Sequence, residues 1–277
     1  VLGASLMPRG RAAWTGTGAE ACVLGWRGQD GVMPSPRVLT CAQSRELDAR
    51  AEELDIPGLA LMENAGAGAA RVILALLERG AAQAPVGLLC GGGNNGGDAY
   101  VVARHLHGAG VEVQVWEWTE VSNLPRDAAR NARCLARTAV PRHPLPRLGA
   151  TSAAGSSAAL ADLEAAFGTC GLLVDGLLGT GFTGTLRPDM AAILEAARRS
   201  ARPILALDLP SGLNGDSGLA SPGTLRARWT VTFAALKPAL VGDSTHGGEV
   251  FCVPLGLPPE AFSGLGGPLG DIPDGPG

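Results

Sequence analysis

Residues 85–106 read PVGLLCGGGNNGGDAYVVARHL, and the fold follows from them. Val86, Leu88 and Leu89 form an apolar run that stops at Gly91, Gly92 and Gly93. Asn94, Asn95, Gly96, Gly97 and Asp98 follow, and Val101, Val102 and Leu106 then recur at helical spacing. The order strand, glycine loop, helix builds an anion cradle. Glycines let backbone N–H groups approach a ligand closely, and the helix N-terminus adds a partial positive charge. The stretch is not a Walker loop, because no Lys-Ser/Thr follows, and it does not keep a strict G-x-G-x-x-G spacing. A βα turn with no ligand would share this order, but five glycines flanking an Asn-Asn pair are entropically expensive to hold in one conformation.

The rest of the chain bounds the answer. Its 277 residues suit one or two domains with a sizeable core. A formal net charge of −4 leaves no basic footprint for nucleic acid. Cys22, Cys41, Cys90, Cys134, Cys170 and Cys252 are scattered, without a C-x-x-C pair, and read as small buried hydrophobes of a reducing, cytoplasmic setting. No apolar run is read as reaching membrane-spanning length, so no membrane partner is expected. Residues 1–35 have low periodicity and fit a secretory signal poorly. They are expected to be a disordered extension or to lie upstream of a natural start at Met33, which N-terminal sequencing of the native protein would decide.

From Thr40 the pattern changes. Thr40 can cap a helix carrying Leu47, Ala51 and Leu54, with Gln43 at the capping-box position. Pro57-Gly58 punctuates, and a second helix presents Leu61, Met62, Ala65, Ala69, Val72, Ile73, Leu76 and Leu77. Its small-residue middle suits close packing on a sheet or on a second copy in a homodimer, and Asn64 reads equally as a cap or as a residue pointing into a site. Strands are expected at 111–116, 172–174, 204–207, 229–235 and 249–253, helices at 125–138, 158–167 and 190–197, and a loop at 140–157. Strand and helix alternate, which predicts a Rossmann-like three-layer α/β/α fold with a mainly parallel central sheet. One domain is expected over 36–257, followed by a Pro/Gly tail at 258–277.

Ligands of such sheets bind outside the carboxyl ends of the strands. Three strands here end in polar, glycine-rich turns, at Asn94-Asn95, at Asp175, and at Asp208 with Ser211. Asn95, Asp175, Asp208 and Ser211 are hard oxygen donors suited to Mg²⁺, Ca²⁺ or a monovalent cation rather than zinc. A carboxylate there can also act as a general acid or base. Residues 179–185, GTGFTGT, have the composition to wrap the phosphates or ribose of a nucleotide, and Lys237 either counters phosphate charge or ends a strand in solvent. No role is assigned to His105, His107, His143 or His246.

Five stretches, LALMENAGAGAA (59–70), CGGGNNGGDAYVVARHL (90–106), VDGLLGTGFTGTLRPD (174–189), ALDLPSGLNGDSG (206–218) and TVTFAALKPAL (230–240), together resemble the NAD(P)H-hydrate epimerase family, whose fold is often called the YjeF N-terminal domain. Gly92 stands where the family usually has Pro, and Ala99 where it usually has Gly. The resemblance implies that Asn94, Asn95, Gly96, Gly97, Asp98, Gly179, Thr180, Gly181, Phe182, Thr183, Gly184, Thr185 and Asp208 contact substrate. It also implies that Asn95, Asp175 and Ser211 hold one potassium ion per subunit. The implied substrate is NADHX or NADPHX, hydrated at C6 of the nicotinamide ring, whose R and S epimers are interconverted. The functional partner would be a separate ADP- or ATP-dependent dehydratase that repairs the S form. The C6–H is not acidic, so loss and return of water, or opening of the C6–N1 bond, is the expected route. Asp208 is the expected acid/base, and Asp98 is the next carboxylate in line. Two other readings remain open: a non-catalytic binding module of the same fold, and an NAD-dependent oxidoreductase with Glu117 or Glu120 on a ribose.

Overall fold

The computed structural model describes residues 22–23, 37–146, 153–241 and 245–268, and within them the apolar runs become one parallel sheet. Its strands are β1 (Cys22–Val23), β3 (Val86–Cys90), β4 (Val113–Glu117), β5 (Arg142–Pro144), β6 (Leu172–Gly176), β7 (Ile204–Leu207), β8 (Trp229–Phe233) and β9 (Glu249–Val253). They lie in the order β1-β9-β8-β7-β6-β3-β4-β5, every pairing parallel. A separate antiparallel pair joins β2 (Arg37–Val38) to β10 (Gly267–Pro268). The helices are α1 (Cys41–Glu53), α2 (Gly58–Glu78), α3 (Asn94–Gly108), α4 (Arg126–Leu135), α5 (Ala153–Gly168) and α6 (Pro188–Arg199).

Alternation along the strands sorts side chains to the two faces. Leu88, Val174, Leu205 and Leu207 join α2, α3 and α4 in one core, whereas Leu89, Leu173 and Ala206 join α6 and Phe167 of α5 in another. Both faces of the central strands are therefore apolar, as a covered parallel sheet requires. The three-layer expectation holds. Successive connections leave β3 toward β4 and β6 toward β7, so the strand order reverses between the neighbours β3 and β6. A parallel sheet opens its ligand crevice at such a point.

Local signals near Thr40 behave as read. Thr40 Oγ1 accepts from Gln43 N at 3.1 Å, and Thr40 N donates to Gln43 Oε1 at 3.0 Å, closing the capping box of α1. The small residues of α2 are spent inside the chain: a Cβ on Gly66 would stand 2.4 Å from Val101 Cβ, and one on Gly68 would stand 2.2 Å from Val253 Cγ1. That face packs on α3 and β9. Asn64 neither caps nor reaches a site; its Nδ2 donates to Leu255 O at 2.8 Å.

Other expectations change. α2 is long and apolar enough by composition to cross a membrane, with a mean hydropathy of 1.4 over an 18-residue window of the helix, contrary to the reading that no run reaches that length. Alanines and glycines, each weakly apolar, hid this, and Leu61, Ala65, Ala69, Ile73 and Leu76 of the helix are buried in the core. The 140–157 stretch contributes edge strand β5, because Leu145 N reaches Glu117 O at 2.8 Å despite the local prolines. Cys22–Val23, inside the expected extension, adds a strand beside β9, while residues 1–21 and 24–36, with Met33, lie outside the described residues. The expected tail also joins the fold as far as residue 268. Arg37 Nη1 donates to Leu265 O at 3.0 Å, Arg50 donates to Ala261 O and Ser263 O, and Leu39, Leu47, Ala235, Ala261 and Leu265 form a small core that seats α1. Cys41, Cys90, Cys170 and Cys252 are buried and free as expected, whereas Cys134 is exposed.

Candidate functional site

The three polar turns converge because β3, β6 and β7 are neighbours in register, with Leu89 opposite Asp175 and Asp175 opposite Ala206. Close backbone approach at the switch point needs glycine. A Cβ on Gly91 would stand 2.0 Å from Leu177 O, and one on Gly96 would stand 2.1 Å from Gly91 O.

Asn95, in the first turn of α3, stitches the turns together. Its Nδ2 donates to Leu178 O at 2.9 Å and to Leu207 O at 3.2 Å. Two carbonyls facing the amide fix its orientation, and Asn95 Oδ1 is left buried with no hydrogen-bond partner among the described residues. Leu178 N donates to Ser211 Oγ at 2.9 Å, and Ser211 Oγ donates to Asp175 Oδ1 at 2.6 Å. Asp175 further accepts from Ser211 N at 2.8 Å and from Leu177 N at 3.2 Å. Asp175 and Ser211 are wholly excluded from solvent. Burial pushes the Asp175 carboxyl up to about 6, against the opposing pull of its hydrogen bonds from Ser211 and Leu177.

Asp208 stands where β7 ends in a tight turn. Leu209 N donates to Leu207 O at 2.8 Å, and Asp208 takes a positive φ of 64°, which Asp tolerates better than most residues. The end of β8 repeats the device: Ala234 has φ 61°, and Ala235 N donates to Phe233 O at 2.7 Å. Lys237 is 2 % exposed and pairs with Asp208 Oδ1 at 2.6 Å. Its ammonium also donates to Thr232 Oγ1 at 3.0 Å and Phe233 O at 3.1 Å. Lys237 is thus a buried partner of Asp208 rather than a solvated strand-end residue. Thr180 N donates to Asp208 Oδ2 at 3.0 Å, so both carboxylate oxygens are engaged.

These groups surround one cavity of about 940 Å³, room for a dinucleotide. Asn94, Asn95, Asp98, Gly179, Thr180, Gly181, Phe182, Thr183, Thr185 and Asp208 line it, whereas Gly96, Gly97 and Gly184 do not. Gly96 is needed for the approach to Gly91, and a Cβ on Gly97 would meet Met62 Cε at 2.5 Å, so close packing requires both glycines. Asp175 and Ser211 lie beneath the wall. Glu117 cannot hold a ribose, because its Oε1 accepts from Tyr100 Oη at 2.9 Å and from Arg142 Nη2 at 2.7 Å.

A family model described as YjeF-related protein N-terminus matches residues 58–239. The chain belongs to that family. It is 39 % identical to an NAD(P)H-hydrate epimerase of Rhodopirellula baltica over 80 % of this chain and 85 % of that protein. It is 37 % identical to a second protein of that name from Pirellula staleyi, over 82 % and 95 %. A bifunctional NAD(P)H-hydrate repair enzyme Nnr of Pyrobaculum aerophilum is 38 % identical over 80 % of this chain, which spans only 42 % of that longer protein. The crystal structure of yeast ynu0 has the same fold, with a TM-score of 0.59 at 24 % identity over 73 % of this chain and 82 % of that one.

The matched range starts after α1, yet the cavity also takes Ser44, Arg45 and Asp48 from that helix. The sequence reading missed them, together with Trp118, Thr119 and Arg187 of the same lining. No periodic signal marks Asp48, which follows core residue Leu47. Its place is set by residues 259–268, which hold α1 over the site.

Proposed function

We propose that this chain is an NAD(P)H-hydrate epimerase, interconverting the R and S forms of NADHX and NADPHX through loss and return of water at C6. One observation carries the reading: Asp208 sits at a dinucleotide-sized cavity on the switch point, its carboxylate positioned by Lys237 and the Thr180 amide. The glycine loop and the start of α3 offer backbone donors for phosphate, and Asp208 faces the positive charge that develops on the ring when C6 loses hydroxide. The site residues favour this over a non-catalytic module, since a binding role alone gives no reason to bury Lys237 against that carboxylate. The functional partner is an ADP- or ATP-dependent dehydratase specific for the S form.

The test is a coupled assay on an R/S mixture of NADHX with such a dehydratase and ATP. The dehydratase alone stalls once the S form is consumed, and adding this protein carries the R portion to completion. Decay of the R portion at the uncatalysed rate, with folded protein and potassium present, would refute the epimerase and favour the module.

The donor set suits a potassium ion. Among the described residues Asn95 Oδ1 is a buried acceptor without a donor, and the buried Asp175 carboxylate receives hydrogen bonds only from neutral groups. Among the described residues no cluster of three His, Cys, Asp or Glu side chains offers a transition-metal site. Asn95, Asp175 and Ser211 would hold the ion, which supplies positive charge that neutralises Asp175 and stiffens the three turns. Because Asp175 is raised to about 6, protons compete with the cation below that pH. Potassium at about 100 times its Kd is expected to add about 2.7 kcal/mol of stability near pH 7, and less at pH 5. Thermal unfolding in KCl against choline chloride at both pH values checks this; equal shifts would remove Asp175 from the cation site.

A further inference from the structure

We propose that Asp98 is a second catalytic carboxylate, acting on the face of the nicotinamide ring opposite Asp208, and that Asp48 poises it from α1; this rests on the epimerase reading. Inversion at C6 through a planar cation sends water away from one face and brings it back on the other. An acid is needed on the departing side and a base on the arriving side. Asp208 alone serves one side, since Lys237 and Thr180 N hold its carboxylate in one orientation.

Asp98 lines the same cavity from α3, and among the described residues no hydrogen bond or ion pair engages its carboxyl group. Burial, with the charges of Asp208 and Asp48 next, pushes that carboxyl well above the ordinary range, and only Lys237 opposes them. Asp48 lies exposed at the cavity, and partial desolvation there raises its carboxyl to about 6, with Asp208 and Glu52 adding and Lys237 opposing. The buried ammonium of Lys237 thus faces Asp48 and Asp98 as well as Asp208, and it is bonded to Asp208. Burial and its anionic neighbours favour the neutral form of Asp98.

The steps balance. Asp98 gives its proton to the C6 hydroxyl, the C6–O bond breaks, and water departs as the N1 lone pair forms the C6=N1 double bond. A water on the opposite face adds to C6 and yields a proton to Asp208, whose oxygen toward Thr180 N keeps a second lone pair. The proton returns from Asp208 to Asp98 through water in the open cavity. The reverse epimerisation runs the same steps with the two roles exchanged.

The experiment compares pH–rate profiles of wild type, Asp98→Asn and Asp48→Asn in the coupled assay, with NADPH binding followed by its fluorescence. A wild type without epimerisation would defeat the epimerase reading itself. Given an active wild type, Asp98→Asn is expected to lose about 10²–10⁴-fold in kcat, with NADPH affinity within about threefold. Asp48→Asn removes a negative charge near Asp98 and so moves the alkaline limb to lower pH, whereas a merely structural role would lower the rate equally at every pH. Near wild-type turnover of Asp98→Asn, or an unmoved alkaline limb in Asp48→Asn, would overturn the proposal. Should Asp98→Asn not fold, the Asp48→Asn limb decides alone.

Discussion

Asp208→Asn is expected to lose about 10²–10⁴-fold in kcat for epimerisation while still binding NADPH. Asn keeps the shape and tolerates the positive φ of 64° found here, so the turn after β7 survives. The charge does not. The new side chain cannot accept a proton from the arriving water, nor stabilise the cationic ring. Its amide oxygen can still accept from Lys237 or from Thr180 N, the two donors that Asp208 satisfies at 2.6 and 3.0 Å. The ammonium of Lys237 then stays among Thr232 Oγ1 and the carbonyls of Phe233 and Ala235 with no anion beside it. Removing one partner of a buried ion pair costs about 3–5 kcal/mol, and the retained amide contact keeps this variant at or below the low end. Coupled kinetics, NADPH fluorescence and a melting curve separate the effects. Epimerisation near the wild-type rate would remove Asp208 from the chemistry.

Gly91→Ala is expected to damage the fold and the site together. The added methyl would lie 2.0 Å from Leu177 O, 2.7 Å from Leu177 C and 2.9 Å from Gly176 O, all backbone atoms where β6 ends and its turn begins. No rotamer relieves a Cβ, so β3 and β6 must part at the switch point, where Gly91 N now donates to Gly176 O at 3.0 Å. Overpacking of this kind costs about 3 kcal/mol, which for a domain of this size lowers Tm by about 6–12 °C. Gly93→Ala is the control, since nothing lies within 4 Å of the Cβ it would add. Equal melting temperatures for the two variants would show that the turn yields more easily than its packing implies.

The elements were legible where one stretch carried its own instruction. Apolar runs ending in glycine marked β3, β6 and β7, and Thr40 with Gln43 marked the start of α1. Where a partner supplies the reason, the sequence was mute. β5 forms because β4 has an open edge, and residues 259–268 are ordered because Arg37 and Arg50 find their carbonyls. The site divides in the same way. Asn95, Asp98 and Asp208 reach the cavity from the turns the sequence marked, whereas the close packing that demands glycine at Gly96 and Gly97 shows only in the fold.

By itself the sequence determined the alternation of strand and helix, the three polar turns at one sheet edge and the family to which the chain belongs, because each rests on residues adjacent along the chain. Only the tertiary structure decided that Lys237 pairs with Asp208, that Asn95 Oδ1 is left without a donor, and that Asp48 arrives over the cavity from α1. These three depend on distances between segments far apart in the chain, and burial, which sets their electrostatics, exists only once the segments have packed.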